Sequence, residues 1–143
     1  MGKKYRRRFS RVVYLLDQTA TEISKNDEMR LVRAFNDEYP YRNRPPWILH
    51  VRHATLGEER LKIDVIFETS DGGDLHVQVK GSNFRIKLFK DEQSRGEADS
   101  RIIPFVMRPR YDAKVIVNRL LPLVSLEHRT RIRLLEKKSV AHS

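Results

Sequence analysis

Cysteine is absent from this chain of 143 residues, and its absence excludes three kinds of chemistry. Disulfide bonds, thiolate metal sites and cysteine nucleophiles all require that side chain. No apolar run approaches the roughly 20 residues that a helix needs to cross a bilayer. The basic N-terminal segment also lacks the apolar stretch of a signal peptide. We therefore expect a soluble, cytoplasmic protein that does not bind a membrane.

Several enzyme motifs are missing as well. The sequence has no glycine-rich phosphate loop, no nucleophile elbow and no catalytic Ser/His/Asp order. His50 and His53 are three residues apart, and side chains alternate along a strand, so the two rings would face opposite sides. A zinc site built from these histidines is therefore not expected.

Positive charge is abundant: 29 lysines and arginines against 19 acids give a net charge of +10. Such a balance predicts attraction to polyanions, with nucleic acid ahead of anionic membrane. An ordinary basic soluble protein remains the alternative. The apolar share of 39% is enough for one core and not for two.

The positive charge is concentrated towards both ends of the chain. Residues 1–11 contain no acid, and a block of this kind is typical of a mobile arm or a solvated tail. A C-terminal helix is expected to present a second basic side. We expect both regions to hold the phosphate backbone of DNA, with RNA not excluded. The predicted contacts are Lys3, Lys4, Arg6, Arg7, Arg8, Arg11, Arg129, Arg131 and Arg133.

Residues 12–138 are predicted to form a single mixed α+β domain, followed by a tail of residues 139–143. Residues 10–23 fit a helix, with a strand over residues 11–16 as the alternative. A second helix is expected to begin at Ser24 or Asn26 and to end before Pro40. Strands are predicted over residues 47–55, 60–69, 74–80 and 102–107, with a turn at 56–59. Residues 83–90 fit either a strand or a helix, residues 93–100 a polar loop, and residues 112–137 a helix broken or started at Pro122.

A hairpin carries the clearest pattern. Asp71-Gly72-Gly73 is strong turn chemistry, since glycine adopts positive φ without a Cβ clash. Alternation predicts that Leu61, Ile63, Val65 and Phe67 share a dry face and that Asp64 lies on the polar one. With a three-residue turn, paired residue numbers sum to 144. Asp64 would then lie opposite Lys80, with Gln78 one diagonal step away.

That grouping suits a hard cation, Mg²⁺ or Mn²⁺, because such ions prefer oxygen ligands and commonly use one or two carboxylates. Asp64 would be the direct ligand, with the Gln78 side-chain oxygen and the Val79 backbone carbonyl as neutral ones. Lys80 would orient or activate a water molecule and stabilise charge on a phosphate. The alternative is a cross-strand Asp–Lys pair on a solvated sheet face, which contributes little.

The segment Ile63-Asp64, thirteen residues and then Gln78-Val79-Lys80 resembles the PD-(D/E)xK nuclease motif of restriction endonucleases and junction resolvases. The resemblance covers roughly residues 24–106. It implies a restriction-endonuclease-like core, a metal-dependent DNA endonuclease activity and a further acid from the preceding helix. Glu28 matches that acid, ahead of Glu68, which shares the polar face.

Two departures from the motif leave the activity open. Ile63 replaces its proline, and Gln78 replaces its usual acid, which removes one negative charge from the metal site. The sequence therefore predicts either a magnesium-dependent endonuclease or a non-catalytic nucleic-acid-binding module on the same fold. A structural partner in a larger assembly is a third reading, and a homodimer is possible.

We predict that binding to duplex DNA is mostly electrostatic, because the chain carries a charge of +10 and two basic ends. Affinity in an electrophoretic or anisotropy titration should fall by orders of magnitude between about 50 and 200 mM salt. Deleting residues 1–8 should weaken binding to all DNA sequences alike. Binding that is insensitive to salt would contradict this expectation.

Overall fold

The computed structural model describes residues 25–38 and 44–141. The basic arm, the predicted element over residues 10–23 and the last two residues lie outside the described part of the chain. Among the described helices, none is long and apolar enough to cross a membrane.

Four strands form one sheet in the order β1-β2-β3-β4. Strands β1, β2 and β3 make an antiparallel meander, and β4 pairs with β3 in parallel. This mixed sheet with helices before and after it confirms the predicted α+β class. The strands are β1 (Ile48–His53), β2 (Val65–Thr69), β3 (Asp74–Lys80) and β4 (Ile103–Val106).

Four helices accompany the sheet. They are α1 (residues 25–33, continued by a π-helical turn over Ala34–Glu38), α2 (Leu56–Arg60), α3 (Asn83–Ser94) and α4 (Ala113–Ala141). The segment that fitted either a strand or a helix is therefore helical. Its start is fixed by Ser82, whose hydroxyl accepts the Arg85 N–H as an N-cap. Helix α4 contains Pro122 and extends into the predicted tail as far as Ala141.

Two sequence-based boundaries were wrong. The predicted turn at 56–59 is helix α2, closed by a capping box in which Thr55 and Glu58 each bond the other's backbone N–H. The predicted strand over residues 60–69 begins only at Val65, because α2 occupies Arg60 and the chain then reverses at Lys62, which has φ 66°. Side-chain alternation is broken at that reversal, so Ile63 does not share a face with Val65.

The predicted hairpin register was also wrong, by two residues. Val65 pairs with Val77 and Phe67 with Leu75, so paired numbers sum to 142 and not to 144. The connection includes Ser70 as well as Asp71–Gly73. Thr69 holds it closed, since its hydroxyl donates to the Gly73 carbonyl at 2.6 Å and accepts the Gly72 N–H at 2.9 Å. Asp64 consequently does not lie opposite Lys80.

Each sheet face is covered by helices. The larger core lies between the sheet, α1 and α4, and includes Leu31, Phe35, Phe67, Val77 and Leu120. A smaller cluster of Ile63, Ile66, Phe89 and Ile102 lies between the other face and α3. The face predicted to be polar is therefore partly dry, because the amphipathic α3 packs on it.

Helix α4 is fastened to the hairpin by a buried histidine. The His128 ring stacks on Trp47 with centroids 3.9 Å apart and an angle of 3° between the planes. Its Nε2 lies 2.7 Å from Asp71 Oδ1. Gly72 is tightly enclosed here, since a Cβ at that position would lie 3.3 Å from the His128 ring. One side chain thus joins α4, the residue preceding β1 and the turn.

Replacing His128 by alanine should lower the free energy of unfolding by about 2–3 kcal/mol, because the stacked ring and a hydrogen bond are lost together. Denaturant titration followed by circular dichroism measures the change. The exposed neighbour Arg129→Ala is the control and should stay within about 0.5 kcal/mol of the parent. Equal stability of the two variants would show that the stack is not a fastening.

Candidate active site

Asp64 directly precedes β2 and is hydrogen-bonded to β3 in the way that a strand residue would be. Its backbone N–H donates to the Val77 carbonyl at 2.9 Å, and Val65 pairs with the same Val77. Its carboxylate Oδ2 then accepts the Val79 N–H at 2.8 Å. A side-chain oxygen thus accepts the Val79 N–H, which a backbone carbonyl would accept if β2 began earlier than Val65. These two hydrogen bonds fix Asp64 beside the C-terminal half of β3.

Glu28 on α1 reaches Asp64 from the other side. The two carboxyl groups are close enough for each to shift the pKa of the other, and Glu28 in its protonated form would donate a hydrogen bond to Asp64. Only 13% of the Glu28 side chain is exposed, and its Oε2 lies 3.9 Å from His53 Nδ1. Asp64 is half-buried as well. Two acids from distant parts of the chain therefore meet in a poorly solvated place.

Burial, and secondarily the Asp64 charge, raise the pKa of Glu28 to about 7. Burial also raises the pKa of Asp64, although the Val79 N–H and the Lys80 charge oppose that rise. Desolvation disfavours the charged form of a carboxyl group, and a neighbouring carboxylate adds to the effect. The pair therefore holds a proton near neutral pH that a cation could replace.

Gln78 and Lys80 follow the same strand but face α3. Both line a cleft of about 220 Å³ together with Lys62, Arg85 and Glu92. Gln78 is 5% exposed, and its Oε1 has no hydrogen-bond partner among the described residues. Lys80 is partly exposed. Its charge acts on Asp64. Gln78 lies between Val77 and Val79, the two residues whose backbone groups are hydrogen-bonded to Asp64.

The Val79 carbonyl lies on the Asp64 side of β3. In a strand, the N–H and C=O of one residue point to the same edge, and neighbouring residues point to opposite edges. The Val79 N–H is bonded to Asp64, and the Lys80 carbonyl accepts the Met107 N–H on the other edge, at 2.9 Å. The Val79 carbonyl is thus directed to the same edge as the acid pair.

These oxygens fit a hard divalent cation. Asp64 and Glu28 would supply carboxylates and the Val79 carbonyl a neutral oxygen, while the buried Oε1 of Gln78, which lacks a partner among the described residues, lies in the cleft on the α3 side. In the part of the chain that the structure describes, no group of three or more His, Asp or Glu side chains is placed to hold a metal. The set matches Mg²⁺, which commonly uses one or two carboxylates and keeps several waters.

The other predicted residues lie away from this place. Glu68 pairs with Arg52, with Nε and Oε1 3.0 Å apart. Arg131 contacts Glu127 Oε1 at 3.3 Å and donates to the Asp74 carbonyl at 2.7 Å, and its role in binding phosphate stays a prediction. Arg129 and Arg133 are exposed on α4. The six basic residues of the arm lie outside the described residues.

His53 is the residue near the site that the sequence did not point to. It was considered only as a zinc ligand, and its place beside Glu28 follows from the packing of α1 against β1. Comparisons of the chain with protein-family models, with curated proteins and with solved structures find no match. Fold and site together define a mixed α+β domain with a two-carboxylate site where β2 begins and β3 ends.

Thermal stability should depend on pH through Glu28. Its pKa is raised from 4.5 to about 7, so the folded state binds the proton more tightly than the unfolded chain does. This stabilisation is complete below about pH 4.5 and is lost as the pH rises through about 7. The melting temperature should therefore fall across this range, and Glu28→Gln should flatten the fall, because a neutral amide can still donate to Asp64.

Glu136→Gln, on the exposed side of α4, is the matched control and should keep the slope of the parent. Adding Mg²⁺ at about pH 8 should raise the melting temperature of the parent and of Glu136→Gln more than that of Glu28→Gln, since only the former bring two ionised carboxylates to the cation. An equal magnesium effect on all three proteins would argue against a cation between Glu28 and Asp64.

Proposed function

We propose that this protein is a metal-dependent DNA endonuclease of the PD-(D/E)xK type, in its QxK form, on a restriction-endonuclease-like fold. The observation that carries the proposal is that Asp64 is bonded to the Val79 N–H, while Glu28 and Lys80 lie close enough to act on the Asp64 carboxyl group electrostatically. Three separate segments of the chain contribute to this one place.

The energetics of the acid pair support a cation-dependent activity. Two carboxylates that are buried together repel each other, and a protein retains such a pair at a cost in stability. Neither acid is neutralised by an ion pair with a described lysine or arginine, although the chain has a charge of +10. A divalent cation would remove the repulsion and would displace the shared proton.

The chain's own residues have distinct parts in the hydrolysis of a phosphodiester. Mg²⁺, when bound, supplies Lewis acidity and a water of lowered pKa. Asp64 and Glu28 would hold it, and the Val79 carbonyl could add a neutral oxygen. Lys80 orients the attacking water and stabilises the negative charge that develops on the phosphate. A water oxygen forms the new bond to phosphorus, and the bond to one bridging oxygen breaks.

One observation favours the second candidate, a non-catalytic nucleic-acid-binding module on the same fold. Gln78 stands where the motif has an acid, and α3 covers it so that its side chain is 5% exposed. The described site then has two carboxylates and not three. A neutral, enclosed Gln78 would weaken the affinity for metal while leaving the basic surface intact.

We expect Asp64→Ala to abolish magnesium- or manganese-dependent nicking of plasmid DNA while leaving DNA binding nearly unchanged, because it removes a carboxylate and no cation. Lys80→Ala should reduce the cleavage rate by roughly 100-fold or more and leave metal binding in place. Lys87→Ala, which removes an exposed lysine from α3, is the matched control and should cleave like the parent. Cleavage that survives both chelation and Asp64→Ala would end the proposed mechanism.

Gln78→Glu separates the two candidate functions. It restores the charge of the motif in a cleft that Lys62, Lys80 and Arg85 also line, so nearby cations offset the new carboxylate. Affinity for Mg²⁺, measured by calorimetry, should rise. Cleavage by the parent supports the nuclease; an inactive parent with an active Gln78→Glu variant identifies a site that has lapsed. No cleavage by either protein favours the binding module.

A further inference from the structure

A second, larger cleft lies along the edge of β4 that pairs with no other described strand, and residues of α3 and α4 contribute to its lining. Its volume is about 600 Å³, and its floor includes the buried side chains of Ile86 and Phe105. Four basic residues line it: Lys90, Arg108, Arg110 and Arg119. No acid is among its lining residues, and within residues 25–38 and 44–141 none of the four forms an ion pair.

Uncompensated cations around a concavity indicate an anionic ligand. Like charges that converge on one cleft repel each other and focus a positive potential in it. Elsewhere in the described chain several basic residues are paired: Arg52 contacts three acids, and Arg95 and Arg131 contact one each. Other described basic residues, Lys87, Arg129 and Arg133 among them, also lack an ion pair, so the particular feature of this cleft is that four cations and no acid line one concavity.

The loop that carries two of these arginines is held rigidly. The Arg30 guanidinium of α1 donates to the carbonyls of Arg108 at 3.5 Å and Pro109 at 3.3 Å, and to that of Tyr111. Arg119 lies over the Tyr111 ring, 5.0 Å from its centroid. The backbone is thus fixed while the arginine side chains face the cleft, and an organised binding surface loses little entropy when a ligand binds.

The cleft adjoins the candidate active site. Val106 is the parallel partner of Lys80, and the Met107 N–H donates to the Lys80 carbonyl. Asn83, three residues after Lys80, is itself part of the lining. A nucleic-acid strand bound in the cleft would therefore leave the cleft beside the C-terminal end of β3.

We propose that this cleft binds a single-stranded DNA segment and guides it towards Lys80. A cleft of roughly 300–1,000 Å³ suits a small organic unit, and a duplex is too wide to enter it. Basic residues interleaved with an aromatic ring are the usual features of a single-strand groove. The binding rests on the cleft alone, whereas the orientation towards Lys80 rests on the nuclease proposed above.

The test is fluorescence anisotropy with a labelled single-stranded oligonucleotide in EDTA, where no cleavage occurs. Arg108→Ala/Arg110→Ala should weaken binding by roughly 10-fold or more and reduce the slope of log K against log salt by about 1.4, the value for two phosphates of a single strand. Lys137→Ala/Lys138→Ala removes the same charge from exposed positions of α4 and should change affinity by less than about three-fold. Arg110→Glu alone, at an exposed position, should also weaken binding and guards against misfolding of the double variant.

Equal losses in the two double variants would show that only net charge matters and would overturn the proposal. A cleft variant that loses duplex binding as strongly as single-strand binding would overturn the assigned strand form. Loss of binding to anionic phospholipid vesicles, with oligonucleotide binding unchanged, would assign the cleft to a membrane instead. If the parent never cleaves DNA while the cleft variant alone loses the oligonucleotide, the nuclease fails and the cleft stands.

Discussion

The hydrogen bond from the Val79 N–H to the Asp64 carboxylate is the interaction on which the site depends. Strand β2 begins its pairing with β3 at Val65, so the Val79 N–H has no partner on β2, and an amide on a buried strand must still be satisfied. Because a side chain and not a carbonyl accepts it, the Asp64 carboxylate is drawn into the sheet edge and away from water. The Val79 carbonyl is directed to the same edge of β3 as this N–H. Everything that is unusual in the electrostatics of the site follows from this one substitution of acceptor.

Glu28 adds a second carboxyl group beside Asp64 and so completes the candidate site. A single half-buried aspartate that accepts a backbone N–H is a common structural arrangement. A second carboxyl group delivered by α1, with a pKa raised to about 7, has no such structural explanation, because folding would be better served by an amide. The packing of α1 positions this carboxyl group. Leu31 and Phe35 are buried against the sheet, and Glu28 precedes them by about one helical turn. Packing thus fixes the distance between two groups that repel each other.

Sequence patterns predicted the meander, the turn at Asp71–Gly73 and the shared parity of Gln78 and Lys80. Glu28 came from the resemblance to the nuclease motif; it lies near Asp64, and its role as a metal ligand stays a prediction. The sequence patterns failed where a side chain or a reversal overrode the alternation. The register was wrong by two residues because Thr69 closes a longer turn through its own hydroxyl. The strand start was wrong because Lys62 adopts a positive φ, which is rare for a residue with a Cβ.

The capping box of Thr55 and Glu58 was legible in the sequence, whereas the burial of Gln78 under α3 was not, since it depends on a tertiary contact. Arg108 and Arg110, which follow a buried strand directly, were a signal that charge counting over the two ends did not register.

The parallel pairing of β4 with β3 explains why the acid pair, Lys80 and the basic cleft occur at the same end of the molecule. Parallel strands end at one edge of a sheet, and β2 runs the other way, so its beginning meets the end of β3. Asp64 precedes β2, Lys80 ends β3, and Arg108 follows β4, which brings the residues flanking three strands to this edge. In open sheets that contain parallel strands, this is the edge at which ligands commonly bind, because the loops there are free of the packing demands of the core. The proposed site, which would anchor a cation and hold a phosphate backbone, can therefore be assembled without disturbing either hydrophobic cluster.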